Sequence, residues 1–87
     1  MKITGAAPLT AFQLAGNLPR NAQFRAFVAH CTGVTDVDDE FAAAFIRMKC
    51  GIETRRVLET NERAEKAFHD FIRRPFVAWK ERQHVAA

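Results

Sequence analysis

His30, Cys31, Cys50 and His69 in the 87-residue sequence are the candidate metal ligands, and a Cys2His2 zinc site needs four. Their spacing argues against one. Zinc ligands come in short-range pairs a few residues apart in a loop or turn, whereas neighbours such as His30 and Cys31 point about 100° apart on a helix. The two cysteines sit at apolar helix positions and are expected to be buried, reduced thiols, with both histidines at the boundary of the core. The acidic run Thr35-Asp36-Val37-Asp38-Asp39-Glu40 resembles a calcium loop only superficially. It lacks the central glycine and the terminal glutamate, and it reads instead as the capped, acid-rich start of a helix. Neither a metal site nor a cofactor is expected.

Nucleophilic catalysis finds no better footing. The chain contains no serine, and His69-Asp70 are sequence neighbours on a helix, which do not face each other. No glycine-rich phosphate loop is present, so an enzyme is not expected and no catalytic residue is assigned.

What stands out is positive charge in the second half of the chain. Residues 41 to 87 carry ten Lys or Arg against six Asp or Glu, while residues 1 to 40 carry three against four, within a formal net charge of +3. Arg55, Arg56, Arg63, Lys66, Arg73, Arg74 and Lys80 are the candidate binding residues, a surface able to neutralise phosphates without reading bases. Glu59, Glu62, Glu65, Asp70 and Glu81 are interleaved with them, as on an ordinary solvated helix face. Phe45 to Leu58 follows the order of a helix-turn-helix. However, Arg47 stands where that motif wants a small residue, and Asn61 restarts the chain before a recognition helix gains length, so a plain turn with exposed arginines is the preferred reading.

The elements that must position these residues are helical. In Asn61 to Gln83 the apolar residues Ala64, Phe68, Phe71, Ile72, Pro75, Phe76 and Trp79 recur at steps of three and four, which predicts a long C-terminal helix supplying most of the core. Pro75 lacks the N–H that would bond the carbonyl of Phe71, so a kink or short break is expected at Arg73-Arg74. Earlier helices are expected over 8 to 15, opened by Pro8 and closed by Gly16-Asn17, over 22 to 31 behind an Asn21 cap, and over 37 to 49 up to Gly51. A short one is expected over 54 to 59 behind Thr54. The predicted inward stripes are Leu9, Phe12 and Leu14; Phe24, Phe27, Val28 and Cys31; and Val37, Phe41, Ala44, Phe45 and Met48 with Ile46 at the margin. Phe41, Phe45, Phe68, Phe71 and Trp79 are expected to be largely buried.

These elements predict an all-α compact bundle of four to five helices with a long, Pro-kinked C-terminal helix, a single domain over 1–87 with loose ends at 1–7 and 84–87. No apolar run approaches the roughly 18 residues of a membrane span and no signal-peptide pattern opens the chain, so a cytoplasmic protein without membrane partners is expected. A chain this short buries only about 60% of its unfolded surface, and a homo-oligomer is one way to bury more.

The segment Cys50 to Trp79 resembles one that recurs in uncharacterised small proteins of bacteriophages and prophages. Cys50-Gly51-Ile52, Arg55, Leu58, Asn61, Ala64, Phe68-His69, Arg74-Pro75-Phe76 and Trp79 carry the likeness. It implies a phage origin and partners in nucleic-acid metabolism or host interference, and assigns no residue a role. The expected function is a small non-enzymatic binding protein that contacts nucleic acid, or a protein handling it, through the basic helical face. The alternative is an adaptor or inhibitor of a host factor acting through an apolar, aromatic patch, as a homodimer in one form.

Overall fold

The computed structural model describes residues 9–86, with side chains up to residue 83, and shows an all-α bundle. Helix α1, Ala11–Asn17, opens on a reciprocal cap. The Gln13 N–H donates to Thr10 Oγ1 (3.1 Å) and the Thr10 N–H donates to Gln13 Oε1 (2.9 Å), so the start falls three residues later than expected. Pro8 lies outside the described residues. Gly16 and Asn17 do not end the path: the chain tightens into a 3-10 turn, Leu18–Arg20, that buries Pro19.

Asn21 caps α2, Ala22–Thr32, through its side-chain oxygen, which accepts from the Phe24 N–H at 3.0 Å. Asp38 does the same for α3, Asp39–Cys50, accepting from the Phe41 N–H at 2.8 Å, while Asp39 and Glu40 occupy the first turn, where carboxylates suit the helix dipole. Both helices stop at a glycine in the left-handed region, Gly33 at φ 78° and Gly51 at φ 68°. The turn after Gly51 closes through i→i+3 bonds. Val57, Leu58 and Glu59 donate their N–H groups to the carbonyls of Thr54, Arg55 and Arg56, and the Thr54 hydroxyl caps nothing. Helix α4 is reduced to Val57–Thr60, which buries Leu58.

Asn61 caps α5, Glu62–Phe68, which passes through a π-helical turn, His69–Arg73, into α6, Arg74–Ala86. Here the Arg74 N–H reaches back five residues to the His69 carbonyl. The break expected at Pro75 is thus absorbed by a wide turn just ahead of the ring rather than by interruption of the helix. The helix also continues to Ala86, past the position at which a loose tail was expected. Counting α5, the π turn and α6 as one rod, the described residues form five helices.

The core is built on Phe24, Val28, Phe68 and Ile72, fully buried, with Phe27, Phe45, Ile46, Leu58 and Phe76 around them. Phe24 meets Phe76 edge-on at 5.2 Å between ring centroids, and Phe27 meets Phe45 edge-on at 6.4 Å. Several expected core positions lie outside it. On α3 the buried stripe is Ala42, Phe45, Ile46 and Cys50, leaving Phe41 38% and Met48 66% exposed and Ala44 at the surface. Apolar residues fill both candidate stripes of that helix, each with an alanine, so the packing of the neighbouring helices decides which is buried. On the C-terminal rod Phe71 is 56% exposed. Residues four apart drift around a regular α-helix. The wide turn takes up that drift, keeping Phe68, Ile72 and Phe76 in one buried line and turning Phe71 out. Trp79 is half-buried, and Cys31, expected inside, is exposed.

Candidate docking groove

The seven candidate cations do not assemble into one basic face. Arg55 is drawn back onto α1: its Nη1 donates to the Phe12 carbonyl at 3.0 Å, and its guanidinium lies 4.0 Å from the centre of the Phe12 ring. Gly16 leaves the room it needs, since a Cβ there would collide with the guanidinium. Lys66 and Arg74 both converge on Asp70, at 2.7 Å and 3.4 Å. The hydrogen bond from Lys66 above all, with the positive charges of Lys66, Arg74 and His69, holds the Asp70 carboxyl below its ordinary value against a smaller desolvation effect. The Lys80 ammonium sits 4.7 Å from the centre of the Phe76 ring. Arg56, Arg63 and Arg73 are exposed.

Two clefts take in four of these seven cations. One, of about 350 Å³, brings Arg55 together with Arg20 and Arg47, neither among the binding residues expected from the sequence, and with Asp39 and Glu40. Asp39 is also paired with Arg25 at 3.5 Å. The second, about 750 Å³, is lined by Lys66, Arg73 and Arg74 but equally by Glu62, Glu65 and Asp70. Both mix signs. His69, which also lines the second cleft, has its Nδ1 buried with no hydrogen-bond partner.

A third groove has a different character. It runs between α2, α3 and the rod at the π turn and α6, with a volume of about 450 Å³. Its walls are Phe27, Phe45, Phe71, Pro75, Ala78 and Trp79, and its polar positions are His30, Cys31, Lys49 and Arg82. No carboxylate lines it. The Lys49 ammonium stands 5.6 Å from the centre of the Phe45 ring, and His30 lies against Trp79 at 6.1 Å between ring centroids. Trp79 keeps its indole Nε1 buried without an acceptor. Burial raises the Cys31 thiol above its ordinary pKa, partly offset by the nearby Lys49 charge, and lifts the Cys50 thiol to about 11. Both are free.

Sequence reasoning missed the cations of this groove, Lys49 and Arg82, because they belong to separate helices and share no spacing. Phe71 did carry a signal: it stands one position off the four-residue line Phe68, Ile72, Phe76. The four metal-type side chains are dispersed. His30 and Cys31 border the groove, Cys50 is in the core and His69 faces the second cleft. Among the described residues no three His, Cys, Asp or Glu side chains gather as a metal site, and no helix is long and apolar enough to cross a membrane.

No family model, no curated protein and no solved structure matches the chain.

Proposed function

We propose that the protein is a small non-enzymatic binding module that docks a partner protein through the aromatic groove between α2, α3 and α6. One observation carries this reading: Phe71, the most exposed aromatic ring, stands on the wall of a groove formed by four further helix-borne aromatic or proline side chains. Exposed aromatics around a concave apolar surface are the usual anchors of protein partners. A cytoplasmic setting accompanies the proposal, since a buried free Cys50 and an exposed free Cys31 suit a reducing compartment. An origin in phage or prophage, implied by the resemblance of Cys50 to Trp79, fits a host factor as the partner.

A second reading retains nucleic acid as the ligand, favoured by the exposed Arg56, Arg63 and Arg73. Against it, Lys66 and Arg74 share Asp70 and Arg55 is committed to α1.

The test is selection from a random peptide library on the immobilised wild-type protein and on Phe71→Asp, with a labelled oligonucleotide titrated in parallel over a range of salt. Docking through the groove predicts peptides enriched on the wild type and lost on the variant. Absence of enrichment, together with oligonucleotide binding that falls steeply with salt, would put the nucleic-acid reading in its place.

A further inference from the structure

Resting on the docking reading, we infer that the occupant of the groove is an acidic amphipathic helix: an apolar stripe seated on the exposed Phe71 with Pro75, Ala78 and the half-buried Trp79, and carboxylates reaching Lys49 and Arg82.

Charge is the first argument. Every ionisable side chain on the groove apart from the Cys31 thiol is a cation or becomes one on protonation, namely His30, Lys49 and Arg82. The two clefts that gather the candidate cations contain carboxylates that would repel an acidic ligand, and this groove is lined by none among the described residues. An acidic partner is therefore favoured here and a basic one disfavoured, and the same complementarity steers encounter.

Shape is the second. The described residues form no strand, so the groove has no sheet edge to which an extended peptide could add its backbone. Against apolar walls such a peptide would leave its N–H and C=O groups unpaired. A helix satisfies these groups internally and presents side chains at i, i+3, i+4 and i+7 to the groove.

The wall geometry separates this occupant from single-stranded nucleic acid. Stacking of successive bases needs a series of open ring faces. Here Phe27 is packed on Phe45 at 90° and on Trp79 at 57°, and Trp79 is further covered by His30, which leaves Phe71 as the freely exposed ring. One exposed anchor beside a half-buried Trp79, with Phe27 and Phe45 buried beneath, suits an apolar stripe better than a run of bases.

The experiment reads composition and charge in one selection. A random peptide library is selected on the wild type and on the double variant Lys49→Glu/Arg82→Glu, both sites being exposed or at the rim. Peptides from the wild type are expected to carry Leu, Phe or Trp at helical spacing, with Asp or Glu beside them, and to slow alkylation of Cys31 by a maleimide. Cys50 is silent in that assay because it is buried. An acidic peptide so obtained should bind the double variant about tenfold more weakly. The variant should itself select basic flanks, and Lys49→Gln/Arg82→Gln should fall between the two. Circular dichroism of each variant checks the fold. Enrichment without acidic bias, or binding indifferent to the reversal, overturns the acidic occupant while leaving the docking reading standing. Failure to enrich anything on the wild type over Phe71→Asp removes both, and displacement of the peptide by an oligonucleotide assigns the groove to nucleic acid.

Discussion

Phe68 and Phe71, three positions apart on the same rod, have opposite roles. Phe68 is fully buried, and Phe68→Ala should cost about 3 to 5 kcal/mol, a large part of the stability of so small a domain. Phe71 is more than half exposed, and Phe71→Ala should cost below about 1 kcal/mol. Chemical denaturation of the two variants measures the contrast, and equal losses would contradict the wide-turn geometry. The thiols form a similar pair. Thiolate is the reactive species, so Cys50, buried and lifted to about 11, should resist a maleimide in the native protein while Cys31 reacts; unfolding should release the second equivalent. Asp70 sets a pH dependence. Its folded-state pKa lies below the unfolded value, so its contribution is present above the ordinary carboxylate range and is lost as pH falls through the depressed folded value. Asp70→Asn should accordingly flatten the acid side of the stability profile, measured by denaturation at a series of pH values.

At the scale of elements, helix existence was legible and helix phase was not. Asn21, Asn61 and Gly51 carry local chemistry that acts over three or four residues, so those two caps and that stop followed from the sequence, whereas the cap expected of Thr54 did not. The buried stripe of α3 did not follow, because Phe41, Ala42, Ala44, Phe45, Ile46 and Met48 support either of two faces and the neighbouring helices decide between them. The same limit applied to the site. Lys49 and Arg82 come to one groove only through the packing of α3 against the π turn and of α2 against α6, and Arg55 is tied to a carbonyl 43 residues away. That tie revises what a charge reversal should do. From the sequence alone, Arg55→Glu with Arg56→Glu should leave folding nearly intact; with Arg55 bonded to Phe12, the Arg55 change is expected to cost about 1 to 2 kcal/mol and the Arg56 change almost none. Gly16 gives the complementary measurement. Alanine in a helix is worth about 1 kcal/mol over glycine, but here its Cβ would displace the guanidinium. Gly16→Ala should therefore be stabilising in an Arg55→Ala background and neutral or destabilising in the wild type. A double-mutant cycle that came out additive would dissolve the joint between α1 and the turn before α4.

The described residues form a slab of 38 × 34 × 19 Å, thin enough for about two layers of helices. A slab has more surface per residue than a sphere, and among the described residues Leu9, Phe41, Met48, Phe71 and Val77 are large apolar side chains left well exposed. Folding alone thus leaves apolar area that a partner can still remove from water, and the native state should gain markedly when the groove is filled. A ligand at a hundredfold its Kd adds about 2.7 kcal/mol to a state that it binds exclusively. For a domain of this size each kcal/mol moves Tm by about 4 to 8 °C, so a peptide selected on the groove should raise Tm by about 10 to 20 °C. Phe71→Asp removes the exposed anchor and places a carboxylate among the groove cations, at little expected cost to the free fold because the side chain is mostly in solvent. In that variant the same peptide should leave Tm unchanged, and thermal unfolding followed by circular dichroism provides both numbers. An equal rise in the two proteins would mean that the peptide binds elsewhere, whereas a rise confined to the wild type would tie the stabilisation to the ring that the π turn exposes.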